Sequence, residues 1–177
     1  MRRGTGAVGA AADPRLRAPL LVLTVLILQT VVLARFRILG VMPDAMLMLA
    51  IAGGIVAGPV GGAGLGFGSG IAIDLFLHTP FGLSALVYSL VGYAVGVGHS
   101  GVLQSAWYLP VLSAMAASAG GVLLFSAVAS VLGQPVVAAR LPTVAVVVAC
   151  VNAVLCPVMV PAVSWALTGP AGRRREP

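Results

Sequence analysis

Long apolar segments, separated by short breaks that contain arginine, proline or glycine, follow one another along most of the chain. A helix needs about 20 apolar residues to cross the hydrocarbon core of a bilayer. Six segments approach that length, so the pattern predicts an all-α polytopic membrane protein, a bundle of six transmembrane helices. The predicted spans cover residues 18–34, 44–58, 61–78, 81–98, 107–132 and 142–167.

The breaks between the spans carry residues that stop or bend helices. Gly58-Pro59 separates the second span from the third, and Thr79-Pro80 separates the third from the fourth. Pro157 and Pro161 are expected to kink the sixth span, which neighbouring helices can accommodate in lipid. Basic residues precede the first span, as in a signal peptide, but the apolar stretch is long and Arg35 follows it directly. An uncleaved first span is therefore favoured.

The composition supports a membrane location. Apolar residues make up 60% of the 177 and charged residues only 8%, against about one quarter charged in soluble domains. Most of the charges lie in the two tails. The charged residues between the tails are Arg35, Arg37, Asp44, Asp74 and Arg140.

The arginines predict the orientation of the bundle. Six spans place both termini on one side, and cytoplasmic tails put seven arginines on that side and three on the other, in agreement with the positive-inside rule. The predicted organisation is a basic cytoplasmic tail (1–17), a six-helix membrane domain (18–168) and a second basic cytoplasmic tail (169–177). The net charge of +6 is attributed to topology and to anionic lipid, and no nucleic-acid partner is expected, because no aromatic residues interleave the tails.

Glycines recur at a step of four through the second and third spans. The row is Gly54, Gly58, Gly62, Gly66 and Gly70, and the same step reaches Asp74 and His78. Residues four apart are neighbours on a helix surface, and small residues at this spacing let a second helix approach closely in lipid. The groove predicted from Gly62 to Gly70 could receive a helix of the same chain or one of a separate protein. Gly92-x-x-x-Gly96 and Ala114-x-x-x-Ser118 provide further close-packing faces.

Two aspartates lie within or next to apolar helices. Asp74 is expected to face protein rather than lipid, since a carboxylate in the bilayer is costly; a structural hydrogen bond, a partner or ligand contact and a titrating role all remain open. Its possible neighbours are His78, Gln29, Tyr88, Tyr93 and Asn152. Asp44 begins the second span, where it can cap the helix or pair with Arg35 or Arg37.

Several short motifs match catalytic patterns without their context. Residues 96–101 satisfy GxGxxG but follow a membrane span rather than a strand. Residues 98–101 also read GxSG, as in rhomboid proteases, but no later histidine could act as base. Asp44 and Asp74 could form a carboxylate pair like that of lipoprotein signal peptidases, although the asparagine-rich motifs of that family are missing. Neither a cofactor nor a metal site is expected, and Cys150 and Cys156 are interpreted as buried apolar residues.

The stretch from Pro43 to Gly96 resembles the MreD family of rod shape-determining membrane proteins. The matching elements are Pro43-Asp44, Gly66-Phe67 through Gly70 to Asp74, Pro80-Phe81-Gly82-Leu83, and Tyr88 to Tyr93 with Gly92. Leu28-Gln29 in the first span fits as well, so the likeness extends over about residues 18 to 168. The candidate partner or packing residues are Pro43, Asp44, Gly62, Gly66, Phe67, Gly70, Asp74, His78, Gly82, Gly92 and Tyr93.

The resemblance implies a fold similar to the substrate-binding subunits of energy-coupling-factor vitamin transporters. It also implies a non-enzymatic scaffold of the cell-wall elongation complex in the bacterial inner membrane. MreC would be the main partner, with MreB, RodA and a class B penicillin-binding protein nearby. The alternative is a small-molecule-binding subunit of a vitamin-type transporter, which the same fold would permit.

Overall fold

The computed structural model describes residues 14–32, 35, 40–76, 80–102, 108–134 and 137–168. Every long element in this part of the chain is a helix. The helices are α1 (Pro14–Ile27, continued by a π-helical turn Leu28–Val32), α2 (Ala45–Asp74), α3 (Leu83–Val102), α4 (Leu109–Val131) and α5 (Leu141–Thr168), with a 3-10 turn (Ala138–Arg140) before α5.

Helix α2 reverses direction at its middle. Gly58 has φ 71° and ψ −167°, a conformation that glycine adopts without steric penalty. A Cβ placed on Gly62 would lie 2.7 Å from the Cα of Gly54, whereas eight residues of a straight helix are about 12 Å apart. Helix α2 is therefore a hairpin of two arms, the first arm (residues 45–57) and the second arm (residues 59–74), and its turn lies at the predicted Gly58-Pro59 break.

The first arm is the core of the protein. Its residues from Ala45 to Gly54 are all buried, which is expected of a helix that is apolar around its whole circumference. Helix α2 contacts each of the other four helices. The remaining helices thus surround one continuous apolar hairpin.

Helix α3 packs antiparallel against the second arm at backbone distance. A Cβ on Gly66 would overlap the carbonyl oxygen of Tyr88, and a Cβ on Gly70 would overlap the backbone of Ala85. Gly92 occupies the point where both arms meet α3, because a Cβ on either Gly54 or Gly62 would overlap its carbonyl oxygen. The contact positions follow one register, 58–59 against 96, 62 against 92, 66 against 88 and 70 against 85. The glycine rows of the two helices therefore face each other, and α3 fills the Gly62 to Gly70 groove.

Side-chain contacts connect the outer helices. Asn152 of α5 donates a hydrogen bond from Nδ2 to Ser118 Oγ of α4, 2.8 Å long and fully buried. Helix α1 begins at Pro14, earlier than the predicted span, with proline in the first helical turn where its missing N–H is tolerated. Arg17, assigned to the N-terminal tail by the sequence, is buried, and its guanidinium carbon lies 5.1 Å from the centre of the Trp165 ring.

Three of the described helical stretches are long and apolar enough to cross a membrane, namely Ala45–Asp74, Leu109–Val131 and Ala138–Leu167. Two shorter stretches, Leu16–Val31 and Leu83–His99, are also apolar. The predicted all-helical membrane class is thus confirmed for the described part of the chain. Each arm of α2 is about 20 to 24 Å long, shorter than the hydrocarbon core of about 30 Å, and the count of six crossings stays a prediction.

Candidate functional site

Asp74 caps the helix that follows it. Its side chain is only 3% exposed. Oδ2 accepts hydrogen bonds from the backbone N–H of Gly82 at 2.8 Å and of Ala85 at 3.4 Å, and Oδ1 accepts one from Ser84 N–H at 3.3 Å. Gly82 directly precedes α3 and has no side chain that could cap it. The carboxylate of α2 therefore satisfies the unpaired amides at the start of α3.

The turn before α3 is built for this contact. Gly82 has φ 95°, in the left-handed region that glycine favours, and this conformation accompanies the donation of its N–H to Asp74. Of the neighbours considered for Asp74, Gln29 bonds the backbone of Met46, Tyr88 bonds Asp44, and Asn152 bonds Ser118. His78 lies outside the described residues.

Asp44 caps helix α2 and reaches α3 at the same time. Its Oδ1 accepts a hydrogen bond from Leu47 N–H at 3.0 Å, three residues into the helix, as an N-cap aspartate does. Its Oδ2 accepts one from the hydroxyl of Tyr88 at 2.5 Å. Next to it, Gln29 Oε1 accepts from the N–H of Met46 at 2.9 Å. Three helices therefore meet around the first turn of α2.

Of the two roles considered for Asp44, the described part of the chain shows the helix cap and not the pairing with Arg35. Its carboxylate contacts Leu47 and Tyr88, whereas Arg35 is exposed. Arg37 lies outside the described residues.

Asp44 and Asp74 accept hydrogen bonds from separate donors. Among the described residues no hydrogen bond joins the two carboxylates, so the structure does not show the shared proton of an aspartic dyad. Within the described ranges no group of three His, Cys, Asp or Glu side chains could hold a metal ion. Of the two free cysteines, Cys156 is buried and Cys150 is exposed, contrary to its expected burial.

The other candidate residues separate into packing and surface positions. Pro43 is buried directly before Asp44. Phe67 is 54% exposed and Tyr93 is half-exposed, so both point away from the contact between α2 and α3. Among the described residues, a Cβ on Gly64 or Gly68, on the same arm as Phe67, would meet nothing within 4 Å beyond its own stretch of helix. A second glycine pair on α2 is therefore open.

A cavity of about 250 Å³ lies beside Asp44 and Tyr88. The polar groups on its wall are those of Asp44, Tyr88 and Ser126, and much of the remaining wall is formed by Phe125, Val144 and Val148 of α4 and α5. Sequence reasoning missed the α4 and α5 residues, because in the apolar runs of those helices nothing distinguishes wall positions from lipid-facing ones.

A second cavity of about 500 Å³ adjoins the first. It is lined by Gly40, Val41, Arg140 and Thr143, and it shares Met42 and Val144 with the Asp44 cavity. A carboxylate and a guanidinium group thus lie in neighbouring cavities at the same end of the bundle.

The described helices and their buried polar contacts define a helical protein of membrane type. Comparison with protein-family models matches residues 15–167 to "rod shape-determining protein MreD". This match covers most of the 177 residues, and the chain belongs to the MreD family of rod shape-determining proteins. No curated protein and no solved structure matches the chain.

Proposed function

We propose that this protein is a non-enzymatic scaffold of the cell-wall elongation complex in the bacterial inner membrane. It binds MreC and helps to position peptidoglycan synthesis, with MreB, RodA and a class B penicillin-binding protein in the same assembly. The observation that carries the proposal is the family match over residues 15–167.

The proposed topology has six crossings and both termini in the cytoplasm. The reversal at Gly58 supports it, because the hairpin turns one long apolar helix into two antiparallel segments. Local thinning of the bilayer or headgroup penetration at the short arms would accommodate their length. A fold similar to the substrate-binding subunits of energy-coupling-factor transporters is part of the same proposal.

The proposed docking face for the MreC transmembrane helix is the open side of the second arm, formed by Val60, Gly64, Phe67 and Gly68. Gly64 and Gly68 leave room for a backbone to approach, and Val60 and Phe67 present exposed apolar surface beside them. The other glycine row of this arm is already filled by α3. Small residues at a spacing of four are the usual close-packing surface for a helix in lipid.

Capture of MreC by the purified chain tests the proposal. Wild-type protein should retain MreC stoichiometrically in detergent. Gly68→Leu should reduce capture about tenfold while the melting temperature stays at the wild-type value, because no described atom beyond its own stretch of helix lies within 4 Å of the new Cβ. Gly120→Leu is the matched control, because Gly120 is an equally open glycine on α4.

The two variants test the position of the docking face, whereas capture by the wild-type protein tests the scaffold function. Loss of MreC with Gly120→Leu instead of Gly68→Leu would move the docking face to the apolar groove between α3 and α4, which Tyr93, Ala94 and Gly120 line. Wild-type protein that never captures MreC would contradict the scaffold proposal itself.

The cavity beside Asp44 supports a second candidate, a small-molecule-binding subunit of a vitamin-type transporter. The cavity volume of about 250 Å³ is somewhat below the range of about 300 to 1,000 Å³ of most ligand pockets, but its apolar wall with a few convergent polar groups is of their type. Retention of a vitamin by the purified chain, in the absence of MreC capture, would favour this candidate over the scaffold.

A further inference from the structure

The Asp44 carboxylate lines the inner cavity in a fixed position. Leu47 N–H and the Tyr88 hydroxyl donate hydrogen bonds to it, and the Gln29 side chain and the Met46 backbone also interact with it. Because these neighbours are backbone groups or side chains of packed helices, the carboxylate is held in place before any ligand arrives. An ammonium group in the cavity would supply the opposite charge that a carboxylate in an apolar surrounding favours.

The wall of the cavity selects a cation with an apolar body. The Tyr88 hydroxyl, which donates to Asp44, still has lone pairs that accept, and Ser126 Oγ donates to the carbonyl of Val122 and can accept as well. Because both hydroxyls already donate to groups of the protein, the cavity wall presents acceptors, and an ammonium group could donate hydrogen bonds to them. The aromatic ring of Phe125 on the same wall adds a surface that attracts cations.

Arg140 places a positive charge beside the adjoining cavity. It lines the adjoining cavity with Thr143, and the two cavities share Met42 and Val144. An anion alone would be repelled from the inner cavity by Asp44, and a purely apolar ligand would leave the carboxylate without a counter-charge. A ligand that carries both charges, with the ammonium innermost, complements both cavities.

We propose that the two cavities bind a zwitterionic phosphoethanolamine group, with its ammonium at Asp44 and Tyr88 and its phosphate at Arg140 and Thr143. The group could belong to a membrane aminophospholipid or to a soluble glycerophosphoethanolamine, which share this chemistry. The site shares no residue with the Gly64 and Gly68 face. Absence of phosphoethanolamine binding would therefore contradict this proposal alone, and absence of MreC capture would contradict the scaffold proposal alone.

The test uses the full-length purified chain in detergent with three probes. These are phosphatidylethanolamine, phosphatidylglycerol with the same acyl chains, and soluble glycerophosphoethanolamine. Native mass spectrometry counts bound molecules, and the melting temperature is followed against probe concentration to obtain an affinity. Phosphatidylethanolamine should bind about tenfold or more tightly than phosphatidylglycerol, as expected for one charge-assisted hydrogen-bonded group.

Two variants locate the site, and a third is the control. Asp44→Asn keeps a good N-cap residue but removes the charge, and it should lower phosphatidylethanolamine affinity about tenfold. Arg140→Gln, at an exposed position whose loss should not impair folding, should lower the affinity for both phospholipids. Arg35→Gln, also exposed, is the control and should bind like wild type.

The probes also identify the source of the group. A shift with glycerophosphoethanolamine supports a soluble ligand, and binding of the lipid alone supports a membrane aminophospholipid. Equal affinity for the two phospholipids would overturn the proposal, and so would unchanged affinity in both Asp44→Asn and Arg140→Gln. The cavities would then be interpreted as water-filled, since polar cavities of this size can hold water.

Discussion

The hydroxyl of Tyr88 donates a 2.5 Å hydrogen bond to the carboxylate of Asp44, 44 positions earlier in the chain. The contact joins the first turn of α2 to the interior of α3, across the wall of the cavity. Asp44 thereby caps one helix and fixes another, and Tyr88 also lies where the Gly66 backbone touches α3. Packing of the glycine rows and orientation of the cavity wall are consequently linked through one side chain.

The Tyr88 to Asp44 bond should show measurable coupling. Tyr88→Phe removes the hydroxyl, and Asp44→Asn keeps the cap. A double-mutant cycle on the free energy of unfolding in detergent should give a coupling energy of about 0.5 to 3 kcal/mol, the range for contacting residues. Tyr93→Phe, at a half-exposed position on the same helix, should change stability by less than about 0.5 kcal/mol. Additive single changes would show that the bond contributes nothing in solution.

The two glycine rows of the second arm should respond differently to a large side chain. Gly66→Leu forces its Cβ into the carbonyl of Tyr88, and overpacking of this kind destabilises by about 1 to 3 kcal/mol or more. Gly64→Leu, two residues away and open, should leave the melting temperature near that of wild type. The check is thermal unfolding together with the fraction of monodisperse protein after size exclusion. Equal losses in the two variants would mean that α3 does not pack on the Gly66 row.

Asp74 should act through its hydrogen bonds. Asp74→Asn keeps one acceptor oxygen for the amides of Gly82, Ser84 and Ala85 and should assemble almost normally. Asp74→Ala leaves buried N–H groups without a partner and should lose about 1 to 3 kcal/mol. Chemical denaturation measures both variants, and cell shape after replacement of the chromosomal copy gives the functional readout. Loss of shape with a stable Asp74→Asn protein would show that the charge itself is needed.

The hairpin at Gly58 predicts which side of the membrane each turn faces. In a chain with Cys150 and Cys156 changed to alanine, Val60→Cys should react with a membrane-impermeant maleimide only from the cytoplasmic side. Val131→Cys should react only from the outer side. Both positions are well exposed, at 83% and 87%. Reaction of the two cysteines from the same side would refute the six-crossing topology.

Much of the fold followed from local pattern. Helix existence, the break at Gly58-Pro59 and the close-packing glycine rows depend on residues within one or two turns of each other, and a single sequence shows those directly. The capping role of Asp44 is equally local, since its acceptor is the amide of Leu47 three residues away. The family could also be predicted, because the order of its motifs lies in a continuous stretch that the family match includes.

The partners of the buried polar groups could not be predicted in the same way. Tyr88 was one of several groups that could have reached Asp74, and the structure pairs it with Asp44 instead. Asn152 was another, and it bonds Ser118. Arg17, which the sequence assigns to the N-terminal cytoplasmic tail, is buried against Trp165. Each of these pairings depends on how helices distant in sequence are rotated against one another.

The sequence by itself determined that the chain forms apolar helices, where they break, and that its aspartates need polar partners, because those properties follow from solvation and from neighbours along one helix. Only the tertiary structure decided that α3 fills one glycine row and leaves Gly64 and Gly68 open, and that Asp44, Tyr88 and Arg140 line adjoining cavities. The physical reason is that apolar helices have many nearly equivalent faces, so side-chain shape across several helices at once selects the arrangement.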